Sequence, residues 1–290
     1  MAPRYTHSFL EGRDGLRIEY RDYAPVGVES GPPVLCLHGL TRNLRDFEEL
    51  APLIAELGRR VIVPSQRGRG GSDPDPKPER YTPATYVADM IALLDKLGID
   101  RAVFVGTSMG GLMTMLTAVI APQRIAAAVL NDVGPEIDPA GLARIRGYVG
   151  GGGAASSWSD AAAHCRSING VAFPDQTDDA FWLDFARKIY REDDPGLIVL
   201  DYDAAISGSV APGAQTTVDL WSLFEALKPF PVLVIRGELT DILAVSTVAE
   251  MQRRKPDLEA LNVPRVGHAP FMTEPAAFKA LSDFLQTRAG

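Results

Sequence analysis

The sequence predicts an α/β protein built on a doubly wound, mostly parallel sheet. Short apolar runs rich in β-branched residues recur along the chain, stretches of helical period separate them, and one long interruption breaks the alternation without ending it. The opening segment THSFLEGRDGLRIEYRDYAP is different. It alternates apolar and polar residues around Arg13, Asp14 and Gly15, the pattern of a hairpin with an Asp/Gly turn.

The runs PVLCLHG (33–39), RVIVPS (60–65), RAVFVG (101–106), AAAVLND (126–132) and PVLVIRG (231–237) are continuous rather than alternating, as expected of strands covered on both faces. Between them, LRDFEELAPLIAELG, TPATYVADMIALLDKLG and MGGLMTMLTAVIAP read as helices, the second with Thr82 as N-cap and Pro83 in its first turn. From Pro135 to about Thr216 no comparable strand is expected. DPAGLARIRGYV, SDAAAHCRSIN and TDDAFWLDFARKIYRED are helix-like there, as is TVDLWSLFEALK just beyond, with breaks at the glycines of 150–153, at Pro174 and at Pro195. This predicts a core of residues 1–134 and 217–290 and a helical lid at 135–216. After 231–237 the chain resumes with a helix near VSTVAEMQRRK, a strand near LEALNV and a final helix, PAAFKALSDFLQTR.

At 290 residues and 46% hydrophobic content there is ample material for a large core. The balance of 29 Lys and Arg against 37 Asp and Glu, with no block of like charge, argues against nucleic acid or a membrane surface as partner. A small-molecule substrate and a monomer or homodimer are expected. Cys36 and Cys165 are too few and too differently placed for a disulfide framework, which fits a reducing compartment. The start lacks the features of a secretory signal and no apolar run nears the roughly 18 residues of a membrane span, so a cytoplasmic location is expected. His7, His38, His164 and His268 share no metal-ligand spacing, and no metal is expected.

One stretch carries chemistry. FVGTSMGG (104–111) places Ser108 between Gly106 and Gly110, directly after a buried strand and at the start of a helix. A bare G-x-S-x-G is weak evidence, but at a strand-to-helix junction it predicts a sharp turn that lifts the serine hydroxyl above the sheet edge. A hydroxyl attacks carbonyls only with a base to take its proton and a third group to orient that base. His268, in the loop RVGHAPF, is the expected base. Asp241, five residues beyond Arg236 in RGELTDIL, is the expected orienting acid, with Asp132 in LNDVG and Glu238 as rivals. The oxyanion of acyl transfer needs two convergent amides, and those of Leu40, after His38 and Gly39, and of Met109 are the candidates. His38 is expected to shape this loop through backbone hydrogen bonds rather than to act as a base.

These segments resemble the lid-bearing α/β-hydrolases of the esterase, lactonase and carbon–carbon hydrolase group. The likeness rests on HG (38–39), QRGRGGSD (66–73), GTSMGG (106–111), NDVGP (131–135), GELTD (237–241) and GHAPF (267–271), and it extends over nearly the whole chain. It implies an α/β-hydrolase fold, Ser108 as nucleophile, His268 as base, Asp241 as acid and the Leu40 and Met109 amides as oxyanion hole, with no cofactor. Ser65 departs from the pattern, since relatives commonly carry an acidic residue there. The serine at position 108 disfavours the aspartate-nucleophile relatives.

Together these readings predict a serine esterase acting on small to medium, largely apolar esters through an acyl-enzyme. The alternatives are a lactonase, a carbon–carbon hydrolase of ring-cleavage products, or a slow-turnover ligand sensor on the same fold. Trp158, Trp182, Trp221 and Phe271 are expected to contact substrate, although aromatic residues at helical spacing more often form the core of the lid itself. Arg42 and Arg45 are expected to form a helix-start surface with Asp46 and Glu48 rather than to bind a substrate carboxylate.

Overall fold

In the computed structural model, residues 5–151, 153–210 and 218–290 are described. The chain begins with an antiparallel hairpin, β1 (Tyr5–Glu11) and β2 (Arg17–Tyr23), followed by β3 (Val34–Leu37), α1 (Leu50–Glu56), β4 (Val61–Pro64) and α2 (Pro83–Lys96). Next come β5 (Ala102–Thr107), α3 (Met109–Ile120) and β6 (Ile125–Asn131). Helices α4 (Pro139–Tyr148), α5 (Trp158–Asn169) and α6 (Asp179–Ile189), then a small hairpin of β7 (Tyr190–Asp194) and β8 (Leu197–Leu200), fill the interruption. The chain closes with α7 (Leu220–Glu225), β9 (Val232–Gly237), α8 (Val245–Arg254), β10 (Glu259–Val263) and α9 (Pro275–Thr287).

Eight strands form one sheet in the order β1-β2-β4-β3-β5-β6-β9-β10. Pairing is parallel from β4 to β10 and antiparallel where the hairpin joins at β2 and β4. The period of two along each strand divides the core. Leu35, Leu37 and Phe104 face a layer containing Val87 and Met90 of α2, Met113 of α3 and Phe224 of α7. Val34, Cys36, Val103 and Val105 face the other layer, with Ile54 of α1 and Leu281 and Phe284 of α9. Because both faces are covered, the strands need the unbroken apolar runs seen in the sequence. No helix among the described residues is long and apolar enough to cross a membrane.

The hairpin inside the interruption was not expected. The helical reading of TDDAFWLDFARKIYRED runs on past Ile189, but α6 stops there and Gly196, at φ 82°, turns the chain back after Pro195. The signal was present in PGLIVL, a turn pair before a β-branched run. The boundary expected at 216 and 217 lies outside the described residues.

Two features fix the loops at the carboxyl ends of the strands. Arg67 is buried among Asp14, Asp75 and Asp89, with Nη1–Asp75 at 2.5 Å and Nη2–Asp89 at 2.6 Å, tying the loop after β4 to the first hairpin and to α2. At Ser65 the missing acid is supplied from β2: Glu19 accepts from the Ser65 hydroxyl at 3.0 Å and from the Gly71 amide at 2.8 Å. The departure at Ser65 is thus compensated by a neighbouring strand.

The tightest backbone approach lies between β3, β5 and α3. A Cβ at Gly110 would sit 2.1 Å from the Leu37 carbonyl oxygen, and one at Gly106 would sit 2.3 Å from that of Gly110. Neither neighbour is a side chain that can swing away. Gly147, in α4, would meet nothing within 4 Å. Gly110→Ala is therefore expected to lower unfolding free energy by about 1–3 kcal/mol, as overpacked cores do, while Gly147→Ala leaves it equal or higher by up to about 1 kcal/mol. Urea unfolding midpoints of the two variants check the contrast.

Candidate active site

Ser108 ends the turn from β5 into α3 with φ 52° and ψ −113°, a conformation sparsely populated by residues with a side chain. Its amide donates to the Asn131 carbonyl at 3.0 Å. The hydroxyl is thereby presented at the rim of the sheet, 2.9 Å from Nε2 of His268. The other ring nitrogen, Nδ1, lies 2.8 Å from Oδ2 of Asp132, whose side chain is fully buried. Asp132 has a second tether, since its Oδ1 accepts from the Gly237 amide at 2.9 Å. Hydroxyl, imidazole and carboxylate thus form one continuous hydrogen-bonded chain. Asn131 braces it on both sides, its Nδ2 donating to Thr107 Oγ1 at 3.0 Å and to the Pro270 carbonyl at 2.7 Å.

The carboxylate that meets His268 is Asp132, not the expected Asp241. Asp132 follows β6 immediately, on the strand next to the one that delivers Ser108, so it needs no loop to reach the imidazole. Asp241 lies four residues past the end of β9 and grips Arg144 of α4 with both oxygens, at 2.6 and 2.8 Å. The Arg144 guanidinium holds its carboxyl below the ordinary aspartate range. Glu238, the other rival, accepts from the Arg265 amide at 2.7 Å. Asn131, which sequence reasoning noted only within NDVGP, belongs to the arrangement.

The sequence profile of the alpha/beta hydrolase fold matches residues 32–275. The chain is an α/β-hydrolase. It is 45% identical to an alpha/beta hydrolase from Novosphingobium aromaticivorans of known crystal structure, each chain covered to 99%, with a TM-score of 0.91. It is 32% identical to the 3-hydroxybutyrate-oligomer hydrolase of Cupriavidus necator, over 92% of each chain. It is 30% identical to the 2-(acetamidomethylene)succinate hydrolase of Mesorhizobium japonicum, over 88% of each.

In this α/β-hydrolase the serine opens on a cavity of about 1190 Å³, walled by the sheet rim and by α3, α4 and α6. Leu112, Leu116, Leu142, Ile145, Phe173 and Phe185 make much of its surface apolar, and the expected Phe271 joins them. The three tryptophans do not. Trp182 is buried within the aromatic cluster of α5 and α6, its indole N–H satisfied by the Gln176 carbonyl at 2.8 Å. Trp158 packs at the edge of that cluster under Arg187, and Trp221 donates to Glu136 at 2.9 Å beneath Arg254. On α6, Trp182 and Phe185 stand three positions apart with their rings 5.5 Å apart in that cluster, and Phe185 also reaches the cavity. Arg42 is held by Asp46, with its Nη2 at 2.6 Å, and lies over the Phe185 ring; Arg45 pairs with Asp201 at 2.5 Å rather than with Glu48.

Leu40 and Met109 line the same cavity as Ser108 and His268, and a Cβ at Gly39 would come within 3.8 Å of the Ser108 Cβ. Neither the Leu40 nor the Met109 amide donates a turn, loop or cap hydrogen bond among the described residues. The peptide carrying the Leu40 amide is held from behind by His38. Nδ1 lies 2.7 Å from the Gly39 carbonyl oxygen, and Nε2 accepts from the Gln66 amide at 3.0 Å, which fixes the neutral tautomer with its proton on Nδ1.

Burial pulls the fully enclosed His38 ring down to about 3 from the ordinary histidine value of 6.5. A folded-state value below the unfolded one means that the unfolded chain binds the proton first. Stability contributed by neutral His38 is therefore present above pH 6.5 and lost as pH falls from 6.5 toward 3, by at most about 1.4 kcal/mol per pH unit. Urea titrations at pH 7.5 and 5.0 should show this loss in the wild type and a smaller one in His38→Asn, which begins from a lower stability.

Proposed function

We propose that this α/β-hydrolase cleaves carboxylic esters through an acyl-enzyme on Ser108, with His268 as base and Asp132 as the acid that orients it. The observation that carries the proposal is the unbroken pair of contacts, 2.9 Å from Ser108 to His268 and 2.8 Å from His268 to Asp132, opening on a largely apolar cavity.

The chemistry follows from the positions. Ser108 Oγ adds to the ester carbonyl carbon as Nε2 of His268 takes its proton, and the carbonyl electron pair moves onto oxygen. The Leu40 and Met109 amides receive that oxyanion. Asp132 accepts from Nδ1–H, keeps Nε2 free as a base and stabilises the imidazolium once formed. Collapse of the adduct breaks the bond to the alcohol, which leaves with the proton from His268. Water, deprotonated by the same imidazole, then adds to the acyl carbon, and as this adduct collapses the bond to Ser108 Oγ breaks, His268 returns the proton to that oxygen and the acid leaves.

The cavity, at about 1190 Å³, exceeds the roughly 300–1,000 Å³ of ordinary small-molecule sites. It suits an extended chain reaching both sides of the scissile ester. The relative from Cupriavidus necator, named for hydrolysis of 3-hydroxybutyrate oligomers, supports linear oligoesters of short hydroxy acids as the substrate class. The segment from α4 to β8 then serves as a lid, with Arg144 and Asp241 pinning its first helix to the core.

Ser108→Ala is expected to lower kcat on p-nitrophenyl butyrate and on a hydroxybutyrate trimer about 10⁴-fold or more while leaving the circular dichroism spectrum unchanged. Asp132→Asn should lose about 10³- to 10⁴-fold, and Asp241→Asn no more than about 10-fold, because it releases α4 rather than the imidazole. A full rate in Ser108→Ala, or a larger loss in Asp241→Asn than in Asp132→Asn, overturns the reading.

A further inference from the structure

Two arginines stand two residues apart in the loop after β4, both buried, and their charges are treated in opposite ways. Arg67 meets three aspartates. Arg69, with no measurable exposure, takes no carboxylate partner among the described residues. Its Nε donates to the Leu40 carbonyl at 2.9 Å, and its Nη1 to the Arg67 carbonyl at 2.8 Å and the Tyr86 hydroxyl at 2.9 Å, while Nη2 lies 3.9 Å from the Met109 sulfur. The guanidinium sits over the Tyr86 ring at 4.7 Å and the Tyr81 ring at 5.7 Å. Asp203, an acid whose field also reaches it, is engaged with the Tyr81 hydroxyl at 2.5 Å.

A guanidinium keeps its charge in a protein, and an unneutralised charge in the interior is costly. Such a charge is useful where negative charge appears only at the top of the reaction barrier. Arg69 is close to that place: outside its own loop and the tyrosines, its side chain donates to the Leu40 carbonyl and lies against the Met109 sulfur, and Leu40 and Met109 line the same cavity as Ser108.

We propose that Arg69 is a positioning residue for the oxyanion: it locks the Leu40 peptide from behind and places a buried, unpaired positive charge behind both amide donors. The inference rests on the serine-hydrolase reading. His38 and Arg69 then hold the loop from two sides, His38 through the Gly39 carbonyl and Arg69 through that of Leu40, so the intervening amide cannot turn away. The same positive field opposes protonation of His38.

The test compares wild type, Arg69→Met and Arg69→Lys by kcat and KM on p-nitrophenyl butyrate, and by inhibition with an alkyl trifluoromethyl ketone of matching chain length. In the inhibited form Ser108 Oγ adds to the ketone carbon, its proton passes to His268 and the carbonyl oxygen becomes an oxyanion. The burst of p-nitrophenol from diethyl p-nitrophenyl phosphate counts working serines, so rates are expressed per intact site. Arg69→Met should lose about 10²-fold in kcat, with KM changed less than about 3-fold and ketone affinity falling by the same factor as kcat/KM. Arg69→Lys, which keeps the charge and loses the fork, should recover part of both in parallel. If Arg69→Met does not fold, Arg69→Lys against wild type decides alone by the same parallel. The inference is overturned if losses lie in KM or in the count of working serines, with ketone affinity per site unchanged, or if Arg69→Lys is no better than a folded Arg69→Met. A full rate in Ser108→Ala overturns the underlying reading and this inference with it; a dead Ser108→Ala beside unaffected Arg69 variants overturns this inference only.

Discussion

Everything at the rim of this sheet depends on how closely α3 can approach β3. With no side chain at Gly106 or Gly110, the first turn of α3 settles against the Leu37 carbonyl. Two consequences follow from one contact. The turn before the helix is forced into the strained conformation that thrusts Ser108 outward, and the loop leaving β3 is brought beside that hydroxyl. The strain, of order 1–3 kcal/mol at such a residue, is offset by the buried layers of α3 and the sheet around it. The proposed nucleophile and its proposed amide donors are therefore positioned by a single packing event.

The polar groups around this junction are arranged so that each has one task. Asp132 is held by the Gly237 amide and gives its other oxygen to His268. Asn131 joins the serine turn to the histidine loop. His38, neutral by burial, and Arg69, charged without a carboxylate partner among the described residues, brace the loop after β3. Little in this neighbourhood is free to reorient as charge develops, which is the condition under which fixed dipoles act most strongly on a transition state.

Much of this was legible in the chain. The unbroken apolar runs specified strands covered on both faces, and the serine between glycines at a strand-to-helix junction specified its own display. His268 was legible as a loop histidine between Gly267 and Pro270. The acid was not, because two aspartates, Asp132 and Asp241, follow strands that end at the same rim, and family likeness favoured the later one. What separates them is the residue count past the strand end and the presence of Arg144, a partner 97 positions away that no local pattern reveals. The tryptophans misled for a related reason. Helical spacing fixes which residues share a face but not how far along that face a cavity reaches: Trp182 and Phe185 share one face and one aromatic cluster, and of the two only Phe185 lines the cavity. The roles suggested for Glu19 and Arg69 required the tertiary fold, since their partners come from other strands and loops.

The placement of Asp132 at the end of β6 has an architectural consequence. With His268 served by Asp132, the loop beyond β9 carries no obligation to the imidazole, and its own aspartate is spent on α4 through Arg144. That ion pair joins α4 to the loop beyond β9, whereas the segment from α5 to β8 is tied down elsewhere, by Asn43 donating to the Lys188 carbonyl at 3.0 Å and by the Gly267 amide donating to the Ala172 carbonyl at 2.7 Å. What covers the cavity and what lines its floor therefore hang from different side chains.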